Sequence, residues 1–259
     1  MKKPSRATFV IGNWKMNPRT VRDAEKIVTE LQKKYARPKT TVILAVPFLH
    51  LAAVKKIMKK PYLLAAQTVH AGDVGPNTGS VSAPMQKDLG VMGAIVGHSE
   101  RRVEGETDAV INSQVRALLQ NAMMPIVCVG ERERDHHGKY YSFVEAQVRA
   151  ALLGVSRKDV ARVVVAYEPV WAISSGDGKG QTATPHDAHE MKLFIQKILV
   201  ELYGRTIALR VPVLYGGSVN ETTAPTLMKD GDIDGFLVGG ASLKPAAFVS
   251  IIRTVENAG

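Results

Sequence analysis

Eight short apolar runs, each followed by a longer segment of helical period, set the tightest limit on what this 259-residue chain can fold into. The runs are Thr8–Gly12, Thr41–Val46, Tyr62–Ala66, Gly93–Val96, Pro125–Val129, Arg162–Ala166, Val211–Tyr215 and Gly235–Val238. Each is apolar almost throughout rather than at alternate positions, the pattern of parallel strands covered on both faces. After the first run, Val21, Ala24, Ile27, Val28 and Leu31 recur at spacings of three and four and form one apolar stripe. Thr184-Pro185-His186-Asp187 supplies an N-cap, a proline at the first helical position and an acid at the third. Lys244-Pro245 opens a last helix carrying Phe248, Ile251, Ile252 and Val255. Eight strand–helix units of about 30 residues predict an α/β fold, a (β/α)8 barrel in a single domain spanning 1–259. A doubly wound open sheet would place a glycine-rich dinucleotide turn after its first strand. Here that strand ends in Gly12-Asn13-Trp14-Lys15-Met16-Asn17.

Composition narrows the class further. With 45% apolar and 22% charged residues the chain reads as folded rather than disordered. The one cysteine, Cys128, excludes an intramolecular disulfide, and its place in an apolar strand reads as core packing. No apolar run approaches the ~18 residues of a membrane span. The basic N-terminus lacks the apolar core of a signal peptide, so a cytoplasmic protein is the default. The net charge of +10 has an address. Lys2, Lys3 and Arg6 precede the first strand, Lys33, Lys34, Arg37 and Lys39 the second, and Lys55, Lys56, Lys59 and Lys60 the third. Segments leading into strands lie opposite the active face, so these clusters read as a solvated surface, the functional alternative being a secondary anionic contact. No aromatic stacking platform accompanies them, and nucleic acid is not the expected partner.

In such barrels the chemistry sits just past the carboxyl ends of the strands. The residues there are Asn13 and Lys15, Gln67, His98, Glu131, Glu168, Ser218 and Gly239-Gly240. Asn13 and Lys15 suit binding an anion and orienting an oxygen. His98 opens a short helical turn, whose positive end favours a neutral ring that donates a hydrogen bond. Glu168, at the end of a buried strand and followed by apolar residues, is a candidate general base, although a structural ion-pair role fits it equally when taken alone. Gly216-Gly217-Ser218 and Gly239-Gly240 expose backbone N–H groups in the two loops where barrels commonly hold phosphate. The pairs His136-His137 and His186/His189 lack further matched ligands, so no metal is expected.

Five runs together carry a resemblance. Gly12 to Asn17, Gly97 to Arg102, Ala166 to Ile173, Tyr215 to Val219 and Leu237 to Leu243 resemble the triosephosphate isomerase family in order and spacing across essentially the whole chain. The resemblance implies cofactor-free interconversion of dihydroxyacetone phosphate and D-glyceraldehyde 3-phosphate through an enediol(ate), in glycolysis and gluconeogenesis. It implies Glu168 as base, His98 as the neutral group that polarises the carbonyl, Lys15 as the compensating cation and Asn13 as an orienting group. Glu100 matches a further active-site carboxylate. Backbone amides at Ser174, Ser218, Gly239 and Gly240 would hold the phosphate, with Ile173 and Leu237 clamping the base. A homodimer would form through the 74–80 loop, with Thr78 reaching the neighbouring active site.

The chain departs from the family pattern at two places. In the lid, 169–183, Ser174 stands where members carry glycine, and about four extra residues surround Asp177–Gly180, which reads either as a lid that closes less favourably, raising KM more than it lowers kcat, or as a harmless surface insertion. In the intersubunit loop, Ser80 replaces a glutamate that pairs with the arginine matching Arg101, so that bridge must be absent or replaced. Two other classes fit the same sequence less well: a phosphate-binding scaffold with a disabled lid, and a basic nucleic-acid-associated protein.

Overall fold

In the computed structural model, which describes residues 7–135, 137–173 and 183–258, the strands close on themselves. The strands are β1 (Phe9–Asn13), β2 (Thr41–Ala45), β3 (Leu63–Ala66), β4 (Gly93–Val96), β5 (Met124–Val129), β6 (Val164–Tyr167), β7 (Val213–Tyr215) and β8 (Gly235–Val238). They pair in parallel in chain order, and β8 returns to β1 with Phe9 opposite Gly235 and Gly12 opposite Val238. This is the (β/α)8 barrel that the apolar rhythm predicts.

Two cores explain why the strands carry no polar face. Phe9, Ile11, Ile43, Ala45, Ile95, Ile126, Cys128, Val164, Ala166, Leu214 and Leu237 fill the barrel. The residues between them, among them Val10, Val42, Leu44, Val96, Val127 and Val165, pack outward against the helices. Side chains alternate across a strand, so burial on both sides demands apolar residues at successive positions.

Helices form where their caps and stripes predict. Val21–Lys34 is capped by Thr20, whose hydroxyl accepts from Asp23 N–H, and buries Ala24, Val28 and Leu31. Pro185–Tyr203 begins with a full capping box between Thr184 and Asp187. The strands β6 and β7 each start two residues later than the sequence predicts, β6 for a visible reason. Val160–Arg162 form a 310 turn before the strand, where Arg162 bonds to Leu119 O and Asp159 instead of entering the sheet.

Candidate active site

The exits of β1, β4, β6, β7 and β8 converge on one cavity of about 290 Å3. Asn13, Lys15, His98, Glu168, Ile173, Ser218, Leu237, Gly239 and Gly240 all line it. Of the other residues that the sequence nominates, Gln67, Glu100 and Glu131 do not line it. Ser174, together with the extra segment 177–180, lies outside the described residues. Thr78 is exposed on its loop and does not line the cavity.

Asn13 and Lys15 are held by a local turn. Lys15 has φ +52°, a left-handed conformation unusual for a residue with a side chain. Its N–H donates to Asn13 Oδ1 at 3.0 Å. Gln67, from the exit of β3, donates to Lys15 O at 2.8 Å and Ala45 O at 3.1 Å, tying the turn to two neighbouring strands. Lys15 Nζ meets Glu100 Oε1 at 2.6 Å, which gives the carboxylate of the β4 exit a partner.

His98 follows β4 and caps the short helix Ser99–Val103. Its Nδ1 accepts from Glu100 N–H at 3.2 Å, so the ring proton belongs on Nε2. That nitrogen lies 3.2 Å from Glu168 Oε1. The other oxygen of Glu168 accepts from Ser99 N–H at 3.2 Å. Glu168 is buried, at 2% exposure, and its position requires two glycines. A Cβ on Gly130 would fall 1.8 Å from Glu168 O, and one on Gly216 would fall 2.9 Å from Glu168 Cγ. Glu168 also lines an adjoining cavity of about 540 Å3.

The phosphate end is built from small residues. Gly239 leads into the 310 turn Gly240–Leu243, closed by Ser242 Oγ donating to Gly239 O at 2.7 Å. A Cβ on Gly240 would meet nothing within 4 Å, and the Lys15 stem passes beside Gly239. An anion can therefore approach backbone here with a cation alongside. Ser218 Oγ donates to Ala172 O at 2.9 Å, joining the β7 loop to the segment that follows Glu168.

Two residues around the site escape the sequence reading. Lys244 adds a second cation to the cavity wall, although its sequence context signals only a helix start. Arg134 binds Glu131 at 3.3 Å, Asp187 at 2.6 Å and Glu190 at 3.0 Å, with its guanidinium over the Trp171 ring. It thus joins the segment after Glu168 to the start of the helix Pro185–Tyr203, partners that only the fold brings together. Arg101, without a glutamate at position 80, pairs within the chain with Glu104 and Glu106, each at 2.9 Å. Burial and the nearby Glu168 charge push the Cys128 thiol well up, so it stays neutral packing.

Comparison with known proteins gives this arrangement a family. The model of the triosephosphate isomerase family matches residues 8–255. The triosephosphate isomerase of Chloroflexus aurantiacus is 46% identical over 253 residues, covering 96% of this chain and 99% of that protein. That of Caldanaerobacter subterraneus subsp. tengcongensis is 42% identical over 251 residues, covering 96% and 99%. The Acetivibrio thermocellus protein is 42% identical over 252 residues, covering 96% and 98%.

Proposed function

This chain belongs to the triosephosphate isomerase family, and from that premise we infer that it interconverts dihydroxyacetone phosphate and D-glyceraldehyde 3-phosphate. The observation that carries the reading is the 3.2 Å approach of Glu168 Oε1 to His98 Nε2 in a cavity that also holds Asn13 and Lys15. Enolisation needs a base on one side of a carbon and donors at the oxygen where charge develops. Glu168 takes the proton from the carbon beside the carbonyl. His98 Nε2–H and Lys15 stabilise the enediolate oxygens, and Asn13 orients them. The proton returns to the neighbouring carbon, so the interconversion needs no redox partner. Amides of Ser174, Ser218, Gly239 and Gly240 bind the phosphate, while Ile173 and Leu237 exclude water from the base. Segment 169–183 serves as the lid, and phosphate binding supplies the energy that closes it.

The same reading makes the protein a cytoplasmic homodimer of glycolysis and gluconeogenesis, with Thr78 of the 74–80 loop completing the neighbour's site. Exposed Met16, Leu49 and Val74 support the interface, since they follow three adjacent strands. Among the described residues no helix is long and apolar enough to cross a membrane.

Isomerisation of D-glyceraldehyde 3-phosphate in D2O tests the chemistry. A carboxylate base exchanges its proton with solvent, so the dihydroxyacetone phosphate formed should carry deuterium on the carbon that received the proton. No conversion by folded protein would make the scaffold reading correct, and conversion without label would exclude Glu168 as an exchanging base.

A further inference from the structure

The basic segments before β2 and β3 have no part in the isomerase chemistry, yet the fold brings them together. The helices Val21–Lys34 and Phe48–Ile57 end side by side at the face opposite the catalytic cavity. Between their ends lies a groove of about 630 Å3 whose wall carries Lys33, Arg37, Lys56, Lys59 and Lys60 and no carboxylate. Among the described residues none of these five cations takes part in an ion pair. All five are exposed, while Ile57 and Met58 in the same wall are half-buried.

Helix-end electrostatics does not account for five cations. Each helix C-terminus contributes a partial charge of roughly −0.5, so two such ends offset about one of the positive charges. The remainder repel one another within a single concavity.

The groove is also a built structure rather than a chance meeting of mobile lysines. Gln32 Oε1 accepts from Lys59 N–H at 2.5 Å, and Gln32 Nε2 donates to Ile57 O at 3.3 Å. That side chain fastens the 57–59 backbone to the first helix. The Tyr62 hydroxyl donates to Tyr35 O, fastening the far ends of the same two segments. The backbone around Lys59 is thereby tied to the first helix.

We infer that this groove is a binding site for a small polyphosphate ligand, with the cations on the phosphates and Ala36, Ile57 and Met58 against any apolar portion. Its volume falls within the range of roughly 300–1,000 Å3 typical of small-ligand sites. No aromatic side chain lines it, which removes the stacking platform that single-stranded nucleic acid uses. The concave shape, with its apolar residues half-buried, equally fails to present an apolar face to a bilayer. The site lies at the amino ends of the strands, so its occupancy is separable from isomerisation.

The test is calorimetric titration of the full-length protein with inorganic tripolyphosphate at ~0.1 M salt, where unpaired surface charges are still felt over about 10 Å. Orthophosphate, a 12-residue single-stranded RNA and anionic phosphatidylglycerol vesicles serve as comparisons. Tripolyphosphate should bind at least tenfold more tightly than orthophosphate. The triple substitution Arg37→Glu, Lys56→Glu, Lys60→Glu should weaken it at least tenfold further, while kcat/KM for isomerisation stays within twofold. Any competitive inhibition of isomerisation by tripolyphosphate should have the same constant in both proteins, since that reports the catalytic cavity. Equal binding by wild type and triple variant would overturn the site. An inhibition constant that moves in parallel with the affinity would instead put the ligand in the catalytic cavity. Tighter binding of RNA or vesicles, abolished by the same substitutions, would replace a small ligand with a macromolecular partner.

Discussion

Two carboxylates, Glu131 and Glu168, sit just past neighbouring strands β5 and β6, and both are buried, at 1% and 2% exposure. Their surroundings differ. Glu131 Oε1 accepts from the Tyr167 hydroxyl at 2.8 Å, from Trp171 Nε1 at 2.8 Å and from Arg134 Nε at 3.3 Å. Burial and the Glu131 charge push the Tyr167 hydroxyl up, so it remains a donor. Glu168 has one backbone N–H and the His98 ring, each at 3.2 Å, and the neutral Cys128 thiol, and it lines two cavities. A carboxylate held by three side-chain donors, one of them charged, is fixed in place as a bracket. One without a permanently charged donor can exchange its bonds for a substrate. Burial alone does not distinguish a base from a brace; the kind of donors does.

That contrast is sharpened most by Glu168→Gln, which keeps the shape and removes the proposed base. Steady-state kinetics should show kcat lower by about 10²–10⁴-fold, the usual contribution of general acid–base catalysis, with thermal stability preserved or raised. Glu168→Asp withdraws the carboxylate by about one methylene, and a misplacement of ~1 Å costs on the order of 10²-fold in kcat/KM. A change of less than about threefold would mean that Glu168 is not the base.

Glu131→Gln should reverse the pattern. It leaves Arg134 short of one partner and weakens a charged hydrogen-bond set, so thermal unfolding should reveal a loss of about 1–3 kcal/mol. Its kcat should move by less than about tenfold. Gly216→Ala is the mildest probe, because the added Cβ would lie 2.9 Å from Glu168 Cγ, the movable part of that side chain. About tenfold in kcat is expected, with little change in melting temperature. A larger stability loss than rate loss would mean that Glu168 is packed as rigidly as Glu131.

The fold was legible because double-sided burial leaves its mark on the sequence. Gly93–Val96 and Gly235–Val238 are strands at the predicted boundaries, and the Thr184 capping box opens its helix as read. The grouping of Asn13, Lys15, His98 and Glu168 was equally legible, since a barrel places all strand exits at one end. Position at a strand exit does not by itself separate Glu131 from Glu168, both acids just past an apolar strand; it was the family resemblance that singled out Glu168. The donors that distinguish them are Arg134, three residues beyond Glu131, and Trp171, which the fold brings across from the loop after β6, and Gly130 reads as an ordinary turn until its clearance from Glu168 is known. The exchange of an intersubunit partner for Glu104 and Glu106 around Arg101 was likewise open, because the missing glutamate at position 80 says nothing of what replaces it.

The most direct measurement sets Glu168→Gln beside Glu131→Gln, with kcat for D-glyceraldehyde 3-phosphate and the unfolding free energy determined for each. If Glu168 is the base and Glu131 the brace, the first variant loses at least 10²-fold in rate at undiminished stability. The second then loses about 1–3 kcal/mol of stability while turning over within about tenfold of wild type. The opposite pattern, or equal rate losses in the two, would contradict the assignment of Glu168 as the proton-transferring group.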